Sequence, residues 1–191
     1  MYFEEEPVSP LKMGIIKTKI RGYYFEFYTA SGVFSSKQID YGTRLLLDYA
    51  EIDKNDDILD LGCGYGVIGI VAAKITDGKV YLTDINKRAV WLAKKNIRLN
   101  RVNAIALHGD LYEPVKDLRF DKILTNPPIS AGYDTLNRII TEGIEHLNKN
   151  GSIQLVLSRG RNAVKERYKS LMDIKVLKKK GGYTVMKMMP G

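Results

Sequence analysis

The chain has 191 residues, 45% of them hydrophobic and 27% charged, a composition that sets aside disordered, collagen-like and disulfide-stapled classes. No apolar run approaches the roughly 20 residues of a membrane helix. A single cysteine, Cys63, rules out an internal disulfide and a multi-cysteine zinc cage. The start, Met1-Tyr-Phe-Glu-Glu-Glu-Pro, lacks the basic and apolar regions of a secretory signal, so a cytoplasmic location is expected and no metal site is. Thirty Lys and Arg against twenty-two Asp and Glu leave a net charge of +8, clustered around 17–21, 94–101, 159–161 and 178–180. That excess favours a polyanionic partner such as RNA.

In chain order, 23–28 reads as an accessory strand because it is almost wholly aromatic. Residues 57–61 read as a buried strand ending in glycines, and 67–74 as the helix behind it. A strand over 79–83 is followed by a helix capped by Asn86, in which Ala89, Ala93 and Ile97 recur every four residues. Strands are expected at 104–108 and 120–125. The next helix opens at Asp134, sets Leu136, Ile139, Ile140, Ile144 and Leu147 on one face, and is expected to stop at Gly151. A fifth strand at 152–157, a basic helix over 162–170, and strands near 174–177 and 183–188 complete the pattern. The Gly181-Gly182 link between the last two predicts a hairpin, hence an antiparallel last strand. The expected fold is α/β, a doubly wound, seven-stranded and mostly parallel sheet with a small N-terminal β extension. One domain is expected over 1–191, with 1–40 as the extension and 41–191 as the catalytic core.

The strongest local signal is Asp60-Leu-Gly-Cys-Gly-Tyr-Gly, between a strand and a helix. Gly62, Gly64 and Gly66 let the chain turn sharply and let a ligand press on bare backbone, beside the unpaired amides of a helix start. Asp84 ends the next strand, 22 residues after Gly62, where an acid can take the hydroxyls of a ribose. Gly64, Gly66 and Gly69 also satisfy the dinucleotide pattern G-x-G-x-x-G, which keeps a nicotinamide-dependent oxidoreductase as a remote alternative. Asp60 leans the other way: its carboxylate would repel a pyrophosphate and attract an ammonium, as in the amino acid portion of S-adenosylmethionine. Its bland reading is a carboxylate bonded to loop amides. Cys63 reads as a loop filler, with no partner base.

The second signal is Thr125-Asn-Pro-Pro-Ile at the end of the fourth strand. Two prolines cannot continue a central strand and instead fix a rigid turn. Asn126, through its side-chain carbonyl, and Pro127, through its backbone carbonyl, can accept both hydrogens of one amino group. That aims the nitrogen lone pair at a methyl donor, and catalysis is then positioning and electrostatics.

Taken together, Asp60-x-Gly-x-Gly-x-Gly, Asp84, Gly109-Asp110-Leu111 and Asn126-Pro-Pro resemble a class I S-adenosylmethionine-dependent methyltransferase of amino groups, with its Rossmann-like fold. Adding Gly32-Val-Phe-Ser, Asp40-Tyr-Gly-Thr and Lys180-Gly-Gly-Tyr, the chain resembles the small-subunit ribosomal RNA guanine-N2 methyltransferase family, in its short archaeal-type form. The resemblance implies S-adenosylmethionine as cofactor and ribosomal RNA, or the small ribosomal subunit, as partner. It places Asp60, Gly62, Gly64 and Gly66 around the methionine part, Asp84 on the ribose, and Ile85, Asp110 and Leu111 around the adenine. Asn126 and Pro127 would orient the target amine at the methyl donor, with Pro128 and Ile129 against the base. The segment 34–43 would cross the cofactor mouth.

The chain departs from the bacterial pattern Asn-Pro-Pro-Phe-His, since Ile129-Ser130 follows its prolines; the ring that would stack on an extruded base is missing. It is also expected to lack the extra N-terminal domain of longer members. Arg159 and Arg161, after the fifth strand, are expected to contact phosphates. His108, His146 and Trp91 read as packing residues, while Phe34 and Tyr41 read equally as walls of the substrate mouth or as packing. The same turn would also serve a protein glutamine or a nucleic-acid adenine.

Overall fold

The computed structural model describes residues 10–35, 37–129 and 132–191. An N-terminal hairpin, β1 (Met13–Ile20) and β2 (Tyr23–Ala30), precedes α1 (Tyr41–Tyr49). The main sheet then alternates with helices: β3 (Ile58–Leu61), α2 (Val67–Ile75), β4 (Val80–Asp84), α3 (Lys87–Leu99), β5 (Ile105–His108), β6 (Phe120–Thr125), α4 (Asp134–Ile144), β7 (Leu147–Leu157), α5 (Arg161–Tyr168), β8 (Met172–Lys180) and β9 (Tyr183–Pro190). The seven strands lie in the order β5-β4-β3-β6-β7-β9-β8. β3 pairs in parallel with β4 and β6, whereas β9 is antiparallel to both β7 and β8. The chain builds outward from β3 to β5 and then returns to place β6 on β3's other side. A sheet of this kind opens a crevice where the order reverses, at the carboxyl ends of β3 and β6.

Alternation along the strands sends neighbours to opposite faces. Ile58, Leu124, Val156 and Val185 face a layer built from α1, α2, α3 and the hairpin. Leu59, Ile123, Leu155 and Met186 face α4 and α5. Leu82 and Ile140, each completely buried, illustrate the drive: enclosing a side chain of this size contributes about 1.5–3 kcal/mol.

The hairpin turns at Arg21 and Gly22, both with positive φ, as a two-residue link between right-twisted strands requires. Its β2 edge meets no further strand among the described residues. Instead Asn96 of α3 bonds both the amide and carbonyl of Tyr28, at 2.7 and 2.9 Å, and Asn100 does the same for Glu26.

β1, α1, α4 and β7 differ from the sequence reading. β1 and α1 were not foreseen: β1 is largely exposed and shows no apolar alternation, and α1 presents only two and a half turns. α4 ends at Ile144, so Leu147 and Gly151 belong to β7, which begins five residues before the expected 152. Gly151 therefore does not stop a helix; a Cβ there would lie 2.8 Å from the Asn148 carbonyl and 3.0 Å from that of Phe120, a close backbone approach that only glycine permits.

Candidate active site

A cleft of about 150 Å³ opens at the β3–β6 crevice, lined by Gly62, Asp84, Ile85, Asp110, Leu111 and Asn126 together with Arg138. A second, smaller hollow shares Gly62 and continues over Gly64 beneath Phe34, Ser35, Asp40 and Thr43. The Tyr65 hydroxyl donates to the Ser35 carbonyl at 3.1 Å and ties this segment over the glycine loop. Ser36, within the expected 34–43 crossing, lies outside the described residues.

The loop is shaped by its own amides. Gly62 and Cys63 both donate to the Thr83 carbonyl at 2.9 Å, and Gly62, Gly64 and Gly66 have φ of 74°, 56° and 104°, values that strain any side-chain-bearing residue. Gly69 serves another end: a Cβ there would collide with Leu82, so it lets α2 lie close on β4. The third glycine of the dinucleotide-like spacing is thus a packing position.

Two buried acids flank the loop and differ in how they are satisfied. Asp84, 5% exposed, accepts from Gly64 N and Asn86 N, each at 2.8 Å. Both oxygens are held by the backbone, and each keeps a lone pair for a further donor. Burial pushes its carboxyl up, partly offset by the Asn86 and Gly64 amides and by His108. Asp60 is fully buried; Oδ2 accepts from Gly69 N at 2.7 Å, while Oδ1 has no partner among the described residues. Burial, with Asp84 nearby and against the Gly69 amide, pushes Asp60 up to about 8. The bland reading of Asp60 therefore accounts for one oxygen only. The other is what an enclosed ammonium would satisfy, since buried polar atoms are costly without partners. This orphan, the bare Gly64 backbone and the acid at the end of β4 fit S-adenosylmethionine.

Where the adenine is expected, the Ile85 carbonyl accepts from His108 Nε2 at 3.0 Å, and the Leu111 carbonyl accepts from Thr83 Oγ1 at 3.2 Å. Asp110 is bridged by Arg138, Nη1 to Oδ2 at 2.9 Å, and the same guanidinium holds Glu142. Arg138 was not singled out by sequence; it sits on α4 three residues before Thr141 and carries no motif.

The catalytic turn leaves β6 at Thr125, whose hydroxyl donates to the Leu61 carbonyl at 2.9 Å. Asn126 is half-buried, and its Nδ2 donates to Asp40 Oδ2 at 2.9 Å and to Thr43 Oγ1 at 3.0 Å. A carboxylate only accepts, so this pair of bonds fixes which end of the amide is nitrogen and leaves Oδ1 as an acceptor for a further donor. Asp40 is at the same time the N-cap of α1, accepting from Thr43 N at 2.9 Å. The motif Asp40-Tyr-Gly-Thr carried this role, though the sequence pointed only to the cofactor mouth.

Pro127 is buried and Pro128 lines the cleft. Ile129 is half-buried and packs on the α4–α5 side of the core; Ser130 lies outside the described residues. Arg159 is exposed beyond β7 and Arg161 opens α5, at the same sheet edge but not among the cleft's lining. Cys63 is buried, bonded to the Gly64 carbonyl, and its thiol is pushed well up by burial and the two acids, so it is no nucleophile. His146 stacks on Tyr112 at 4.7 Å, as a packing residue does, whereas Trp91 is 45% exposed with Lys95 over its ring. The described residues hold no cluster suited to a metal ion, and no helix among them is long and apolar enough to cross a membrane.

Comparison with known proteins agrees with this geometry. The family model for the methyltransferase small domain matches residues 24–187. The uncharacterized Bacillus subtilis protein YbxB is 35% identical over 193 residues, covering 97% of this chain and 96% of its own length. Ribosomal RNA small subunit methyltransferase C of Haemophilus influenzae is 37% identical over 134 residues, 68% of this chain but 40% of that protein. The structure of the Thermus thermophilus 16S rRNA N2 G1207 methyltransferase, in complex with AdoMet and guanosine, superposes with a TM-score of 0.81 at 25% identity, over 97% of this chain and 52% of that one. The chain thus spans about half or less of those two ribosomal RNA enzymes. A glycine loop over a buried, half-satisfied acid, an Asn-Pro-Pro turn with its amide locked and a family match over most of the chain converge: this chain belongs to the methyltransferase small domain family.

Proposed function

We propose that this protein transfers a methyl group from S-adenosylmethionine to the N2 amine of a guanine in small-subunit ribosomal RNA. S-adenosylmethionine is the methyl donor of this site and supplies an electrophilic methyl on a sulfonium. The observation that carries the acceptor is the locked Asn126 amide, whose nitrogen is taken up by Asp40 and Thr43, so that the carbonyl oxygen is the group left to meet a substrate. An acceptor here selects a substrate that donates, and a planar exocyclic amine donates twice, to Asn126 Oδ1 and to the Pro127 carbonyl. Holding both hydrogens directs the nitrogen lone pair out of the amide plane towards the donor, so the gain is one of orientation and preorganised charge. As the C–N bond forms, the bond from the methyl carbon to the sulfonium would break and leave a neutral thioether; the amine nitrogen becomes cationic and then releases a proton to solvent, while Asn126 and Pro127, as acceptors, stabilise that developing charge.

Ribosomal RNA as substrate is supported by the relatives at 35–37% identity named ribosomal RNA small subunit methyltransferase C and by the net charge of +8, and guanine N2 by the 25% identical structure whose name gives N2 of G1207. The test is radiolabelled methyl transfer to unmodified small-subunit ribosomal RNA, assembled subunits, transfer RNA and a protein extract, with nucleosides identified after digestion. Label in N2-methylguanosine that vanishes in Asn126→Ala is the expected result. Label only in protein would move the activity to a glutamine amide, and label in N6-methyladenine would move it to adenine.

A further inference from the structure

The outer flank of the catalytic turn carries a group of residues that methyl transfer itself leaves unused. β9 starts opposite the carboxyl end of β7, with Thr184 facing Leu157, so the tip of the β8–β9 hairpin stands at the sheet edge where β6 delivers Asn126. The tip turns through Gly181 and Gly182, both with positive φ, and its last pair joins Lys180 to Tyr183. α1 begins at this place too, because Tyr41 directly follows Asp40, the residue that holds Asn126.

Tyr41 and Tyr183 meet here, with ring centroids 5.2 Å apart and planes inclined at 47°. A Cβ on Gly42 would lie 2.9 Å from the Tyr183 ring and 3.1 Å from Asp40 Oδ2, so the ring and the anchor of the catalytic amide are one methyl group apart. A Cβ on Gly181 would lie 2.9 Å from the Tyr41 hydroxyl, so the hairpin tip is seated against that side chain. Yet Tyr41 remains 44% exposed, and Lys179 and Lys180 on the tip are exposed as well. An open aromatic face, rigidly backed and flanked by solvated ammonium groups, is the combination that binds unpaired nucleotides: the ring stacks on a base and the cations track the phosphates. The position also answers a deficit, because Ile129 stands where an aromatic residue after the prolines would cover the target base and is itself committed to the α4–α5 core.

We propose that Tyr41, backed by Tyr183, is the stacking wall for the RNA base entering the catalytic turn, and that Lys179 and Lys180 hold phosphates of the flanking strand. This rests on the reading of the protein as an RNA methyltransferase. The ring, not the hydroxyl, does the work, so an aromatic replacement preserves it. The lysines act through charge, so their share is screened by salt.

The test uses the full chain with in vitro transcribed, unmodified small-subunit ribosomal RNA. Its readouts are RNA affinity by filter binding, KM and kcat for methyl transfer, cofactor affinity by calorimetry, and melting temperature. Tyr41→Ala is expected to raise KM and Kd for RNA about 10-fold, with cofactor affinity unchanged and melting temperature lowered by only a few degrees as the Tyr183 contact is lost, and Tyr41→Phe to restore them. Replacing Lys179 and Lys180 by Ala is expected to flatten the dependence of log Kd on log salt by about 0.7 for each phosphate no longer neutralised. Unchanged RNA affinity and KM in Tyr41→Ala, in a wild type that does methylate the RNA, would overturn the stacking wall alone. An unchanged salt slope in the double lysine variant would overturn the role of the lysines on the phosphates. A wild type that neither binds nor methylates RNA would overturn the wall together with the reading beneath it.

Discussion

The two sides of the cleft are organised differently. On the cofactor side, the bonds that set the site join near neighbours in the chain: Asn86 to Asp84, Gly69 to Asp60 nine residues away, and Gly64 to Asp84 twenty away. All lie within the unit from β3 to the start of α3. On the acceptor side, the bonds that orient Asn126 reach 86 and 83 residues back, to Asp40 and Thr43. The part of the cofactor half around Asp60, Gly64 and Asp84 is therefore complete once one strand–helix–strand unit has folded, and Asp110 and Leu111 join it from beyond β5, whereas the acceptor half is complete only when α1 has docked against β7 and the end of β6. Damage to α1 should cost turnover before it costs cofactor binding.

The sharpest way to break this division is Asn126→Ala. Loss of an acceptor aimed at developing charge should lower kcat by about 100- to 1000-fold, while cofactor affinity measured by calorimetry stays within about threefold; a parallel collapse of cofactor binding would show the halves are not separable. Asp60→Asn probes the other half. Removing the charge should weaken cofactor binding about 10- to 100-fold, the range of a bond to a charged group, with the Gly69 bond kept.

Asp60 also sets a pH dependence. Its folded value, about 8, lies above the ordinary 3.8, so between these values the folded chain without cofactor holds a proton that the unfolded chain has released. Stability must then fall as pH rises from about 4 to about 8. Chemical denaturation across that range should show this slope in the wild type and a flatter one in Asp60→Asn. An equal slope in both would place the proton elsewhere.

Asp40→Ala should have a smaller effect of mixed kind. Loss of the α1 cap costs about 1 kcal/mol of stability, and release of the Asn126 amide should lower kcat about 10-fold beyond what the melting temperature accounts for. If kcat followed stability alone, the anchoring bond would have no catalytic share. Arg138→Ala should be the mildest. The Arg138 side chain is 47% exposed and its bridges to Asp110 and Glu142 are solvated, so stability should change by no more than about 1 kcal/mol in thermal melts. A larger loss would mean that Arg138 ties α4 to the cofactor side.

Much of the site was legible in the residues because its chemistry is local. Glycines with obligatory positive φ, an acid ending the following strand and two prolines after an asparagine each announce a backbone event that few other sequences tolerate. The boundary of β6 and the Asn86 cap were readable for the same reason. α4 was read on to Gly151, although it ends at Ile144, because Leu147 keeps a helical spacing with Ile140 and Ile144, and periodicity cannot distinguish a helix end from the first buried residue of the next strand. The hairpin strand β1 escaped because a strand that leaves one face in water carries no apolar run to betray it.

By itself, then, the sequence determined the sheet's alternating build, the glycine loop with its acids, and the rigid Asn-Pro-Pro turn, since each follows from conformational limits within a few residues. Tertiary structure alone decided which atoms of those residues are free. Packing of α2 on β4 consumed one oxygen of Asp60 and left the other, and docking of α1 took up the nitrogen of the Asn126 amide and left its oxygen to accept. Hydrogen-bond satisfaction depends on every group brought near by the whole fold, and spacing along a chain does not record it.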